Sequence, residues 1–465
     1  MATNTSTDAK PPMTLNAVLD DIAATGNGLW YVRVIFIMAF NQVMLAVEVN
    51  MLTFVTYCAE ETWDLGDTAG DVLVDCVYVG LFFGTMLWGP IADVIGRLYT
   101  LWITMAFTLL FNLLSAVAPT FAIFVLLRVL AGFFEGAWIV ALTYVIEILP
   151  VEDRGSQTNF INCAWGVGTV ACSVVAWLTI PTYGWRVYIA VGTLVFVLAL
   201  PVLYTLCESP RWLADQGRHK EALEALEYMA AANGTVVPCS SLITEFSEET
   251  GLQGPVSLSI WGVLKKSVVN YRGLFEPENR TNTIMMSSAA VLSSMSYTAA
   301  LLYDNDVLLG SDNSCSFNYK EITVLATSEV VAISLVTPLL DRPEIPLVGG
   351  RRGTIQLGVF ASIVPMVLSG YAITGQYVWA YLARAGILVA YNIIYVLLPE
   401  MFSTSHRVTA IAFATLVSYL GGALACWLIY SDLENSVMMW VVAATTLVLG
   451  FMTCFFPETA QVELS

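Results

Sequence analysis

Residues 80–97 read GLFFGTMLWGPIADVIGR, an apolar stretch rich in small side chains that runs into Pro90, Asp93, Gly96 and Arg97. In lipid no water-driven force holds two helices together, and small residues let their backbones approach closely instead. Asp93 and Arg97 follow where the apolar run ends, so they are expected at a membrane surface. There a carboxylate and a guanidinium can pair with each other or with a neighbouring helix end, in a geometry able to open and close. Taken alone, the stretch also fits a packing helix with a charged stop.

The rest of the chain favours the first reading. Of 465 residues, 57% are hydrophobic and only 12% charged, with a mean hydropathy of +0.72. A soluble domain is closer to half apolar and a quarter charged, so the composition predicts an all-α polytopic membrane protein. The net charge of -18 reflects acidic loops on a sparsely charged chain and argues against nucleic acid as a partner. Nine cysteines are scattered without metal-like spacing. Cys58 and Cys315 fall near predicted outer loops, where they can pair. The first thirty residues are polar and no cleavable signal peptide is expected.

A membrane helix needs about 20 apolar residues. Twelve such runs occur, at 31–57, 72–92, 98–117, 121–148, 159–180, 186–207, 284–309, 320–340, 354–373, 376–399, 408–430 and 436–456. They predict an N-terminal six-helix bundle (31–207), a linker with surface helices (208–283), a C-terminal six-helix bundle (284–456) and a tail (457–465). Within segment 1–30, residues 1–13 read as disordered. Leu15, Val18, Leu19 and Ile22 then repeat at helical spacing behind Thr14, which predicts a short amphipathic helix on the membrane surface. In the linker, Gly217 is expected to separate two helices, and 233–258 reads as loosely ordered.

With both termini in the cytosol, fifteen of the nineteen Lys and Arg fall on the inner side, as the positive-inside rule requires. The halves also repeat. Pro90-x-x-Asp93 before Gly96-Arg97 recurs as Pro338-x-x-Asp341 before Gly350-Arg351-Arg352. Arg128 in the fourth span recurs as Arg384 in the tenth, and Glu147 with Arg154 recurs as Glu400 with Arg407. The second copy has six extra residues between Asp341 and Gly350, a departure from the compact loop.

The G-x-x-x-D-x-x-G-R pattern ending at Arg97 resembles the signature of the major facilitator superfamily, and the resemblance extends over nearly the whole chain. Gly26-Asn-Gly-Leu-Trp, Glu208-Ser-Pro-Arg-Trp-Leu213, Glu400-Met-Phe-Ser-Thr-Ser-His-Arg407, Pro457-Glu-Thr459 and Pro181-x-x-Gly184-Trp-Arg186 are similar to motifs of its branch of synaptic vesicle glycoproteins and organic-ion transporters. Ser403 stands where that branch has proline. The resemblance implies the twelve-helix major facilitator fold, with the first, fourth, seventh and tenth spans lining a central cavity. The fifth span lacks the Gly-Pro signature of many drug/proton antiporters, and the seventh lacks the Gln-Gln-Leu-Ser-type sequence of sugar porters. Tyr419, before Gly421-Gly422, occupies a position that is acidic in organic-cation carriers and basic in organic-anion carriers, so neither preference is inherited there.

An ionisable group at mid-bilayer costs about 2.5–3.5 kcal/mol on insertion scales, so each asks for a partner or a function. The candidates for substrate or proton binding are Asn41, Glu48, Glu135, Tyr297, Glu329, Arg384, Tyr391 and Asn392. For Glu48 and Glu135 a purely structural pairing stays open, and for the tyrosines simple packing. Two helical turns separate Arg128 from Glu135, too far for a direct pair, and Arg128 is expected to brace helix ends. Glu329 and Arg384 form a plausible pair. Asp93, Gly96, Arg97, Glu147, Arg154, Asp341, Arg351, Arg352, Glu400 and Arg407 are expected to make the inner gate.

These readings predict alternating access, two bundles rocking about a central site, for a small organic ion or metabolite. They leave proton-coupled and facilitated transport open, through Glu48 or Glu329 in the first case. A sugar or polyol porter and a non-transporting receptor are the rival readings. No cofactor, metal site or enzymatic activity is expected. The protein is predicted to be monomeric in a plasma or vesicle membrane.

Overall fold

The computed structural model describes residues 13–65, 69–149, 154–239, 242–243, 268–269, 271–309, 315–340, 342–371, 375–402, 404–429, 431 and 433–459. Six spans come before the linker: Leu29–Trp63, Ala69–Ile95, Arg97–Ala116, Phe121–Ile148, Arg154–Tyr183 and Trp185–Leu203. Six follow it: Arg280–Leu309, Tyr319–Val336, Gly350–Ser369, Gln376–Leu397, Thr404–Ile429 and Asn435–Thr453. Among the described residues, eleven helices are long and apolar enough to cross a bilayer. The sixth span, 19 residues ending at Pro201–Leu203, completes the dozen. The side on which the linker helices lie, between the sixth and seventh of these spans, is called inner below.

The opening stretch explains the packing of the N-terminal bundle. Gly80 and Gly84 of the second span lie against Val129 and Phe133 backbone of the fourth. Across the same seam, a Cβ on Gly132 would stand 2.9 Å from the Val77 carbonyl, and one on Gly136 2.6 Å from the Thr85 nitrogen. Two small-xxx-small motifs thus face each other, which is how helices gain contact in lipid. In the other half Gly358 and Gly386 pack reciprocally, each 2.7 Å by the same measure from the other's carbonyl. The fourth span is interrupted: helix Phe121–Glu135 ends at Gly136–Ala137, and Trp138–Ile148 continues inward. At the break Ala137 N–H bonds Phe134 O and Val140 N–H bonds Ala137 O, three residues apart rather than four.

The N-terminal helix, Leu15–Thr25, differs from expectation. Val18, Leu19 and Ile22 are fully buried in a cluster with Trp30, Leu226 and Met229, so its apolar face is covered by protein rather than by the membrane surface. The reason lies in Asn233, completely buried, whose Nδ2 donates to Ile22 O at 2.7 Å while its Oδ1 accepts from Trp30 N–H at 3.3 Å. That residue clamps the N-terminal helix, the first span and the linker together. The linker does fold as two helices, Pro210–Asp215 and His219–Ala232, with Gly217 at φ 73° between them. The stretch read as loosely ordered contributes Leu242–Ile243, paired in parallel with Met13–Thr14; residues 1–12 and 244–258 lie outside the described set.

The two bundles touch at three levels. At the outer end a disulfide joins Cys58 to Cys315, the Cα atoms 4.5 Å apart, and Glu61 accepts the Cys315 N–H at 2.8 Å. At the inner end Asn159 Nδ2 donates to Thr337 Oγ1 at 2.8 Å. The middle level carries the candidate site.

Candidate functional site

In the N-terminal bundle Glu48, Arg128 and Asn112 close a ring. Arg128 Nη2 lies 2.9 Å from Glu48 Oε1, Arg128 Nη1 donates to Asn112 Oδ1 at 2.8 Å, and Asn112 Nδ2 donates to Glu48 Oε2 at 2.7 Å. All three are at most 1% exposed. Arg128 therefore braces a carboxylate and an amide of two other spans, not helix ends as the sequence suggested. Glu48 sits inside its bundle with both oxygens engaged. Asn41 is buried further inward on the same span, and its neighbour Gln42 donates to Asn162 at 3.2 Å.

The C-terminal bundle holds a denser set. Arg384 Nε and Nη2 donate to Glu329 Oε1 at 2.8 and 2.7 Å. The Tyr297 hydroxyl donates to the same oxygen at 2.9 Å. Thr169, from the fifth span of the other bundle, donates to Glu329 Oε2 at 3.1 Å. Trp165, one turn away, donates its Nε1–H to the Tyr297 hydroxyl at 3.0 Å. Glu329 thus has four donors and spans the bundle interface. Asp304, on the seventh span, is 3% exposed and lies 3.9 Å from Arg384 Nη1, its Oδ2 without a hydrogen bond.

Around this set runs an aromatic layer. Tyr297 stacks on Tyr391 at 5.3 Å, Tyr391 meets Tyr395 at 5.2 Å, and Tyr395 meets Trp138 edge-on at 6.1 Å. Trp138 Nε1 donates to Tyr419 Oη at 3.2 Å, and Thr85 Oγ1 lies 3.4 Å from that oxygen. The layer crosses from the C-terminal half to the N-terminal half. Asn392 is buried beside it with its Nδ2 unpaired. Glu135 stands at the interruption of the fourth span, 7% exposed, and makes no hydrogen bond or ion pair among the described residues. Its charged neighbours are Glu48 and Arg128, and Tyr419 lies within electrostatic range.

The inner faces are near copies. Arg97 bonds Asp93 Oδ1 at 2.7 Å, the Ala92 carbonyl at 2.9 Å and Glu147 Oε1 at 3.0 Å. Arg351 bonds the Leu340 carbonyl at 2.7 Å and Glu400 Oε1 at 3.2 Å. Glu147 is therefore paired with Arg97; the side chains of Arg154 and Arg407 lie outside the described set, as does Asp341 altogether. Despite the longer loop, Arg351 and Glu400 reproduce the geometry of Arg97 and Glu147. Each third helix of a half is also capped by a carboxylate from the end of that half. Glu208 accepts the N–H groups of Arg97 and Leu98, and Glu458 those of Arg351 and Arg352. Gly96 (φ 106°) and Gly350 (φ 73°) leave the space in which these carboxylates sit. Burial pushes the Glu208 carboxyl above its ordinary value, while its backbone donors and Arg97 pull it down. Arg352 contributes its backbone N–H to this cap.

Sequence reasoning missed Asp304, Asn112, Trp138, Trp165 and Thr169. Asp304 opens a Asp-Asn-Asp run near a helix end, which reads as solvated loop. Counting helical turns from Tyr297, two turns away on the same span, is the signal that reaches it.

Two pseudo-repeated six-helix halves with buried charges between them define a membrane carrier. The chain belongs to the Major Facilitator Superfamily, whose model matches residues 34–426, and it is a multi-pass transporter of small organic substrates. It is similar to the organic cation/carnitine transporter 7 of Arabidopsis thaliana, at 26% identity over 96% of this chain and 95% of that protein. The synaptic vesicle 2-related protein of Xenopus laevis is 23% identical, over 95% of this chain and 80% of its own. Among solved structures, the proton:xylose symporter XylE bound to 6-bromo-6-deoxy-D-glucose superposes with a TM-score of 0.71 at 18% identity, covering 94% of this chain and 98% of that one.

Proposed function

We propose that the protein carries a small organic cation, an amine or quaternary ammonium, by alternating access, and that Glu135 is the group that receives it. Charge counting supports the sign. In each half two buried carboxylates meet one guanidinium: Glu48 and Glu135 with Arg128, Asp304 and Glu329 with Arg384. Glu48 and Glu329 take the two arginines, which leaves one acid over in each half. An excess carboxylate in a low-dielectric interior must take a proton or a cation.

The observation that carries the reading is Glu135, without a hydrogen bond or ion pair among the described residues, at the break of the fourth span, with Trp138 three residues on and Tyr419 within electrostatic range. Aromatic faces attract cations and are worth about 2 kcal/mol when desolvated. The fourth span breaks at the same point, and discontinuous helices build ion sites in other carriers. A relative named for organic cations and carnitine agrees with this choice. The inner gate then holds the outward-facing state, with both termini and the linker in the cytosol, and one chain carries a complete pathway.

Purified protein in liposomes, screened over quaternary and protonated amines, organic anions and hexoses, tests the reading. Uptake is expected for amines, and Glu135→Gln is expected to weaken it roughly thirtyfold or more. Uptake confined to anions or hexoses, or amine uptake indifferent to Glu135→Gln, would remove it.

A further inference from the structure

The second leftover acid, Asp304, has a different environment from the first. It lies on the seventh span, 97% removed from solvent, with Oδ2 unbonded and no aromatic layer between it and Arg384. The charged and titratable groups around it are Arg384 on the tenth span and Glu329 on the eighth, with Tyr297 on its own span bonded to Glu329. The eleventh span carries Tyr419 and Cys426, and the described parts of the ninth, beyond its Arg351–Arg352 start, and of the twelfth carry no charged side chain. A single guanidinium therefore stands between two carboxylates, 2.7 Å from one and 3.9 Å from the other.

What tips Arg384 towards Glu329 comes partly from the opposite bundle. Thr169 donates to Glu329, and Trp165 orients the Tyr297 hydroxyl that also donates to it. With the bundles in contact, Glu329 has all four of these donors and keeps Arg384. Asp304 is then buried without a cation of its own, and an uncompensated charge there is costly.

We propose that Asp304 is the site that carries a coupling proton, and that the cross-bundle grip on Glu329 sets when the proton is held. A proton from water adds to the Asp304 carboxylate as the bundles close. When they part, Thr169 leaves Glu329, Arg384 becomes available to Asp304, and the O–H bond breaks to return the proton to water. Sites so linked exchange free energy through one two-state element, here the bundle interface. Thr169 acts as a positioning residue. The proposal rests on the carrier reading above, with Glu135 left for the organic cation.

Infrared spectroscopy of the full chain in nanodiscs, with and without ¹³C-aspartate, tests the proton site without any substrate. Asp304 is the one buried aspartate among the described residues, so an isotope-shifted protonated-carboxyl band at neutral pH is expected in the native protein and absent in Asp304→Asn. In liposomes, Asp304→Asn should lose accumulation of radiolabelled tetraethylammonium driven by a pH gradient and keep its equilibrium exchange. Thr169→Val, which leaves the acid in place, should shift the pH at which the aspartate band disappears, and it serves alone if Asp304→Asn does not fold. A native protein without the band, gradient-driven accumulation surviving in Asp304→Asn, accumulation that follows a sodium gradient instead, or a Thr169→Val band unmoved with pH would each overturn the proposal. If native protein neither takes up nor exchanges tetraethylammonium, the cation reading fails while the infrared result still decides the proton site.

Discussion

Arg128 illustrates how one residue's role depends on what the chain brings to it. Its guanidinium is wholly buried, and only Glu48 and Asn112 make that tolerable. Removing one partner of a buried ion pair strands the other charge and costs about 3–5 kcal/mol, whereas removing both is often close to neutral. Arg128→Met is therefore expected to destabilise the protein by about that amount, and adding Glu48→Gln to recover most of it. Detergent-solubilised melting of the two single variants and the double variant checks this. A double variant as unstable as Arg128→Met alone would show that the pair is not the reason for the loss. The sequence exposed both residues as mid-membrane charges but not their pairing. Helical spacing relates residues within one span, and these lie 80 positions apart on different spans.

At the level of the helix, the glycines of the second and fourth spans set the distance between two backbones. Gly84 faces the Phe133 carbonyl with no room for a side chain. Overpacking a tight contact costs about 1–3 kcal/mol, so Gly84→Ala should lower the melting point and reduce yield, while Gly89→Ala, with its nearest neighbour a side-chain methyl at 3.4 Å, should do little. Equal behaviour of the two variants would count against close packing at this seam. The small-residue pattern was readable in the chain, yet its partner helix was not. The amphipathic N-terminal helix shows the same limit. Its apolar face was plain from spacing, but an apolar face fits lipid and protein equally, and only the clamp of Asn233 selects protein.

For the whole molecule, the question is which surfaces part during rocking. The pair of Asp93 with Arg97 lies within one bundle, so the gate role proposed for it would act by ordering its own helix end. Asp93→Asn is expected to slow uptake and bias the carrier towards inward-open, measured by cysteine accessibility from each side; unchanged flux and accessibility would remove that role. The Cys58–Cys315 disulfide, by contrast, ties the bundles together at the outer end. Phe317 packs on Phe54 at 5.2 Å beside it. A tether there limits how far the outer mouth can open, so Cys58→Ser should raise the accessibility of outer-cavity cysteines and change the uptake rate. If a membrane-impermeant reductant and Cys58→Ser both leave accessibility as it was, the tether has no hold on the opening.

The chain by itself determined the class of this protein, because twelve apolar runs, a basic inner side and a duplicated charge pattern are properties of composition and spacing. It also marked most of the polar groups in the membrane, since every charge there is conspicuous against an apolar background. It did not decide which acid takes which arginine, and that choice separates Glu48 and Glu329, held at 2.9 and 2.7 Å, from Asp304, at 3.9 Å from Arg384, and Glu135, which has no ion pair among the described residues. The physical reason is that pairing in a low dielectric depends on distances of a few ångströms between helices remote in sequence, and only their packing sets those distances.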